Sequence, residues 1–457
     1  MGWKICDFYT WNINILMKFM DQEKTKEIFD KDKAGKQLHG LIERLYPICR
    51  SITGNGVRET LSVISEHIPL KIYEIPSGTR VYDWEIPPEW NIKDAWIKNS
   101  KGEKIVDFEK SNLHILNYSI PVSQEVTLEE LKDHLFTLPD QPDKIPYKTS
   151  YYTRNWGFCM SHNQFDNLKD GNYQVKIEST LNPGSLTYGE YFIQGKTNDE
   201  VLISTHICHP SLCNDNLSGI AISTFIAKSL SVLNLRYSYR FIFIPTTIGS
   251  IAWLSLHEKE IDKIKHGLVL TLLGDPGKFN YKKSRKGNTE IDKIVENTLN
   301  HTGRDFGIID FYPYGYDERQ YCSPGFNLPV GRLTRTPHNE FPEYHNSGDN
   351  LEFVKPDKLA ESYELVHTVI TTIENNKTYI NLNPKGEPQF GKRMVYDSMA
   401  EKGKNRELQM AMLWVLNLSD GSNSLLDISE RAGIKFSLIQ KASDALLKVD
   451  LLKESVK

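Results

Sequence analysis

Residues 201–222 read VLISTHICHPSLCNDNLSGIAI. Val201 to Thr205 form a continuous apolar run rather than an alternating one, as expected of a strand covered on both faces. The run ends on His206, a short polar loop with His209 and Asp215 follows, and a helix begins near Leu217. The same grammar recurs on either side. Strand candidates at 173–177, 191–194, 239–244 and 267–273 alternate with helical segments at 217–233, 248–257, 291–300 and 356–374. The expected fold class is α/β, a sheet covered by helices on both faces. Side chains at the C-terminal edge of such a sheet point into the crevice where α/β proteins bind ligands. His206, His209 and Asp215 are zinc ligands by type in that place. The competing reading of Asn214-Asp215-Asn216 is a plain N-cap ahead of the helix. A second cluster, 342–349 (PEYHNSGD), sets His345 in a loop, with Asp349 four residues on and spaced to orient that imidazole.

The chain has 457 residues, of which 39% are hydrophobic and 25% charged, with 55 Lys+Arg against 59 Asp+Glu. At roughly 100–200 residues per domain, two to four domains are expected. A net charge of −4 removes any global electrostatic case for nucleic acid or an anionic membrane. Six sparse cysteines without a CxxC pair suit a reducing cytoplasm. Residues 11–20 (WNINILMKFM) are interrupted by Asn12, Asn14 and Lys18, so they are neither a signal peptide nor a span. No other stretch reaches about 18 uninterrupted apolar residues, and no membrane association is expected.

The texture of the sequence divides it. Residues 1–37 are an N-terminal extension, and 38–79 with 171–385 carry the α/β pattern. Residues 80–170, rich in Pro, Trp and Tyr, read as an inserted, mainly β domain with strand-like runs at 94–98 and 104–108. Its one helical passage, 127–136 (TLEELKDHLF), opens with a capping box. Residues 386–404 read as a linker. Residues 405–457 form a helical module in which the Arg431-Ala432-Gly433-Ile434 turn joins two helices, the helix-turn-helix pattern. Within 419–450, Arg431, Lys435, Lys441 and Lys448 face Asp420, Asp427, Glu430, Asp444 and Asp450, four against five. A reader of phosphates should be plainly basic, so a role in protein contacts or packing is expected rather than nucleic-acid binding.

THICHPSLCNDNLSGI resembles the zinc-aminopeptidase segment in which a strand-end His precedes an Asn-Asp-Asn-x-Ser-Gly turn whose Asp binds metal. PEYHNSGDN resembles their terminal Tyr-His segment. From about residue 38 the whole chain is similar to a bacterial family of aminopeptidase-like proteins with a small inserted β domain and a C-terminal winged helix. The runs RSITGNGVRETL, SGTRVYDWEIPPEWNI, PYKTSYYTRNWGFC, PTTIGSIAWL, YGYDERQYCSPGFNLPVG and SDGSNSLLDISERAG carry the likeness. The resemblance implies a zinc-aminopeptidase-like mixed sheet with His206 as first metal ligand, Asp215 as central ligand and His345 as last. His209, at His-x-x-His spacing, is a reserve ligand.

Part of the pattern is missing. Two-metal aminopeptidases place a Glu-Glu pair, one general base and one ligand, after the strand equivalent to 239–244, where this chain has Thr246-Thr247. The later carboxylate is displaced by 270–273 (LTLL), and Asp275 comes late. Two imidazoles and one carboxylate suit one Zn²⁺ with an open position for water, and two ions need more anionic ligands. A mononuclear site is therefore expected. The replacement base is sought in 316–320 (YDERQ), with Glu318 as general base and Asp317 and Arg319 contacting substrate, Arg319 through its bidentate fork. The alternative is a structural ion-pair network of Asp317, Glu318 and Arg319. Glu190 is a weaker candidate base, and Glu340 and Glu343 weaker still. Cys208 and Cys213 read as packing residues, and 281–287 (YKKSRKG) as a solvated loop.

The implied activity is that of a cytoplasmic single-zinc hydrolase, expected to be homo-oligomeric, cleaving an amide in a peptide or small metabolite. The family's association with polysaccharide biosynthesis adds sugar-linked amides to the substrate class. The rival is a non-catalytic or weakly catalytic metal-containing sensor that answers through its winged helix.

Overall fold

The computed structural model describes residues 31–393 and 405–455. The segment 11–20 and residues 394–404 of the linker lie outside them. Contacts divide the chain into one unit of residues 1–287 and 307–363 and a second of 288–306 and 364–457.

The first unit is built on an eight-stranded sheet. Its strands in chain order are β1 (Lys71–Pro76), β2 (Ser185–Ile193), β3 (Glu200–His206), β4 (Ser238–Ile244), β5 (Ile264–Leu270), β6 (Phe279–Lys282), β7 (Phe306–Ile309) and β8 (Val330–Thr334). The spatial order is β1-β2-β4-β3-β5-β8-β6-β7. The four middle strands are parallel, while β1, β2 and β6 join antiparallel. Every residue of β3 is buried, which accounts for its unbroken apolar reading. Helix Ser218–Leu230 packs on β3, with helix Lys31–Leu45 beyond it. All its residues but Phe225 and Lys228 are buried, as expected of a helix that is apolar almost all round.

A second sheet of four antiparallel strands orders Lys104–Asp107, Glu89–Lys98, Asn172–Asn182 and Val122–Thr127. Asn172–Asn182, whose first half read as a strand of the α/β sheet, thus pairs instead with Glu89–Lys98. Its burial alternates, Tyr173, Val175 and Ile177 inward, the signature of a sheet with one covered face. The Thr127 capping box forms as expected, and its helix is the short Leu128–Lys132.

Arg58, on helix Asn55–Ser65, clamps the Glu89 carboxylate at 2.8 and 2.6 Å, and the Ser185 amide donates to it at 3.0 Å. The Arg58 pair pulls Glu89 from the usual 4.5 to about 2. A depressed carboxylate stabilises the fold above its unfolded pKa, and that stability is lost as pH falls through the folded value. Urea unfolding should therefore show a stability loss between about pH 4.5 and pH 2. Glu89→Gln should flatten it.

In the second unit, strand Thr378–Asn381 lies between Asp420–Ser424 and Leu452–Glu454. Helices Asn405–Leu418, Leu425–Ala432 and Phe436–Leu447 complete a winged helix. Gly433, at φ 63, closes helix Leu425–Ala432 in the left-handed conformation that glycine takes without strain. Gln440 is buried on helix Phe436–Leu447, so the side chain there best suited to reading bases faces inward. No helix among the described residues is long and apolar enough to cross a membrane.

Candidate metal centre

Parallel strands deliver their loops to one edge. β3 ends on His206, and 213–217 lead into helix Ser218–Leu230. The loop between is fastened at both ends. The buried Arg50 guanidinium donates to the carbonyls of His209 at 2.6 Å and Pro210 at 2.8 Å. At the far end, the Asp349 carboxylate accepts the amides of Asn214 at 2.5 Å and Asp215 at 2.9 Å. Asp349 thus holds the backbone under Asp215 rather than the His345 ring, and burial pushes it up to about 8. Asp275 props Asn214, accepting from its side chain at 3.1 Å.

Asp215 is fully buried at the centre. His206 Nε2 lies 2.8 Å from its Oδ1. On the other oxygen, His345 Nε2 lies at 3.0 Å and His209 Nε2 at 3.8 Å. Donor atoms of His206, His209 and Asp215 all fall within 4.8 Å of one another. Burial acts to raise the Asp215 pKa, yet the three imidazoles hold it well below the usual carboxylate range. Burial holds His209 well below its usual value. Metal binding requires that combination of ionised carboxylate and neutral imidazole. Two donors on one tetrahedral zinc lie about 3.3 Å apart, and the three imidazole–carboxylate separations bracket that value; His345 meets Asp215 but is not in the group of donors within 4.8 Å of one another. The donor set fits a zinc-type ion.

Aromatic rings wall the centre. Tyr316 stacks on His206 at 4.9 Å and donates to Asp215 Oδ2 at 3.4 Å. Tyr147 sits 5.1 Å from both the His209 and His345 rings. His345 has a left-handed φ of 56 and is held there by the Tyr147 amide, which donates to its carbonyl at 2.8 Å. Sparsely populated backbone of this kind persists where the surroundings over-determine it. In front lies a cavity of about 490 Å³ lined by Trp84, Tyr147, Lys148, Tyr152, His209, Thr246, Thr247, Arg319, Tyr344 and His345, among others.

The remaining candidates separate. Asp317 is buried, and its Oδ1 accepts from the Thr246 hydroxyl at 2.9 Å and Ser250 at 2.8 Å. Its Oδ2 has no hydrogen-bond partner among the described residues, and burial raises its pKa. Glu318 is buried against Lys282 Nζ at 3.0 Å and Arg332 Nη1 at 3.5 Å, and the cavity lining does not include it. Arg319 does line the cavity, its guanidinium 5.6 Å over the Tyr314 ring. Glu190 pairs with Arg240 at 2.5 Å. Glu340 is exposed and Glu343 half-buried. Cys208 and Cys213 are buried, and burial pushes both thiols up. Arg50, Tyr147 and Tyr316 escaped the sequence reading as site residues. Their only signal was membership of the distinctive runs RSITG, PYKTSYY and YGYDERQ.

A mixed sheet with this constellation at its carboxyl edge, joined to a second small sheet and a winged helix, defines an aminopeptidase-like protein. The chain belongs to the family whose model, a domain of unknown function (DUF4910), matches residues 39–376 and is followed by a winged helix-turn-helix match over 377–454. It is 55% identical, over 94% of its length and 99% of the relative's, to a Clostridium acetobutylicum protein named "Putative polysaccharide biosynthesis protein with aminopeptidase-like domain". A crystal structure of a "putative peptidase" from the same organism is 54% identical, with a TM-score of 0.90 over 95% of this chain and 100% of that one. Fold likeness extends to a zinc aminopeptidase from Bacillus subtilis, with a TM-score of 0.54 and 13% identity over 74% of this chain and 94% of that one. A peptidase M28 precursor from Shewanella amazonensis gives 0.54 and 14% over 77% and 96%.

Proposed function

We propose that the protein is a cytoplasmic, single-zinc hydrolase of an amide bond in a peptide or small, sugar-linked metabolite. His206, Asp215 and His345 hold the ion. The observation that carries this reading is the buried Asp215 with an imidazole on each oxygen, beside a cavity. Zinc bound there supplies Lewis acidity and an acidified water. The chain's own groups do the rest. Arg319 presents a planar fork to a substrate carboxylate. The proton shuttle moves from Glu318, which is engaged by Lys282 and Arg332, to Asp317. Asp317 is joined to the cavity by the Thr246 hydroxyl, and burial raises its pKa above the usual carboxylate value, toward that of a proton shuttle. Asp317 accepts a proton through Thr246 Oγ1 and returns it to the departing nitrogen.

Turnover of amino-acid amides, dipeptides and N-acyl sugars should be abolished by a chelator and restored by zinc. Asp317→Asn should lower kcat by about 10²–10⁴-fold with zinc content unchanged. The replacement of the Glu-Glu pair by Thr246-Thr247 favours the rival sensor reading. Bound zinc without turnover on every substrate class would decide for it, with the winged helix making protein contacts.

A further inference from the structure

We propose that His209 is a third imidazole ligand of the centre and that Arg50 is the residue that aims it. The inference rests on the metal reading above and deepens it. Thr247 offers no carboxylate, and the cavity wall around it instead carries His209. His209 is 8% exposed, and its Nε2 faces the same Asp215 oxygen that His345 reaches, at 3.8 Å against 3.0 Å. The two rings are 5.2 Å apart, and the His206 ring is 4.9 Å from that of His209. His209 thus lies close to both other imidazoles and shares their carboxylate.

The loop's fastening gives the second observation. Arg50 is a fully buried cation whose hydrogen-bond partners are the carbonyls of Leu45, His209 and Pro210 and the Thr60 hydroxyl. Burying a guanidinium is costly, and here its donors converge on the His209-Pro210 backbone. Ser211 is anchored in turn, its hydroxyl donating to the Tyr46 carbonyl at 2.6 Å and its amide to Asn112 at 3.2 Å. The loop is therefore rigid on the side that presents the His209 ring, as a site held to its working geometry requires. With His209 added to His206, Asp215 and His345 the ion would have four protein ligands, and the water of the proposed reaction would enter as a fifth, an expansion that zinc permits.

The full chain, stripped of metal, is titrated with Zn²⁺ against a chromophoric chelator and loaded with Co²⁺ for its visible spectrum. X-ray absorption of the zinc form counts imidazoles. The expected count is three in the parent and two in His209→Gln. Loss of an outer support typically costs metal affinity about 10–100-fold. Arg50→Lys should fall in that range with a shifted Co²⁺ spectrum, and His209→Gln should lose at least about 100-fold. Equal affinity and an unchanged imidazole count in His209→Gln would overturn the ligand assignment alone. A parent that takes up no metal overturns the proposed function as well. An Arg50→Lys protein that folds and binds zinc as the parent does overturns the aiming role. Should Arg50→Lys not fold, Ser211→Ala, which frees the next anchor of the same loop, should lower zinc affinity, and affinity equal to the parent's would overturn the tethering on which the aiming role rests.

Discussion

Asp215→Asn is expected to abolish zinc uptake and turnover together while leaving the metal-free protein folded. Among the described residues the carboxylate is the group that reaches all three imidazoles, with an oxygen for His206 and another for His345 and His209. Asparagine keeps its shape but brings no charge, and neutral donors alone bind a divalent ion poorly. In the metal-free state the exchange removes a fully buried anion whose desolvation opposes folding but which the three imidazoles stabilise, so the variant should be less stable than the parent yet folded. The difference should appear in the response to metal. A ligand at a thousand times its Kd stabilises by about 4 kcal/mol, or roughly 10 °C at about 2–4 °C per kcal/mol. The parent should melt that much higher with zinc, and Asp215→Asn should not respond. Retained zinc stoichiometry in the variant would sink the proposed centre.

That His206 and Asp215 would meet at a sheet edge was legible because these parts follow from local chemistry. A strand buried on both faces must read as unbroken apolar sequence, so Val201 to Thr205 declared β3, and the His206 that ends it had to lie on the edge where ligands bind. Asp215 was ambiguous between cap and ligand, and the structure brings it against the imidazoles while Asp349 holds its amide. Asp349 itself was assigned to the wrong neighbour. Sequence spacing sees His345 four residues away, whereas the contact with Asn214 and Asp215 spans more than a hundred residues. Arg50 was invisible for the same reason, since nothing within RSITG says that its guanidinium will meet the carbonyls of His209 and Pro210. The strand Asn172–Asn182 shows a different limit. Its alternation was present in Tyr173, Val175 and Ile177, but register with Glu89–Lys98 depends on a partner that local pattern does not name.

Glu318→Gln separates the two sequence readings of the 316–320 run, and it is expected to act on stability. Glu318, Lys282 and Arg332 all have fully buried side chains, so the variant leaves two cations in the interior without their shared anion. Removing one partner of a buried ion pair costs about 3–5 kcal/mol, which urea unfolding at neutral pH should show. The pH dependence has a definite sign. Burial already lowers the Lys282 pKa, and Glu318 opposes that shift. Without Glu318 the amine is depressed further, so the variant's deficit should shrink as pH rises and Lys282 becomes neutral in both the folded and unfolded states. The double variant Glu318→Gln/Lys282→Met should recover part of the loss, the coupling expected of residues in contact. Per folded molecule, turnover of Glu318→Gln should stay within about tenfold of the parent, below the 10²–10⁴-fold that a proton shuttle contributes. A stable Glu318→Gln protein without turnover would return the shuttle to Glu318 and take it from Asp317.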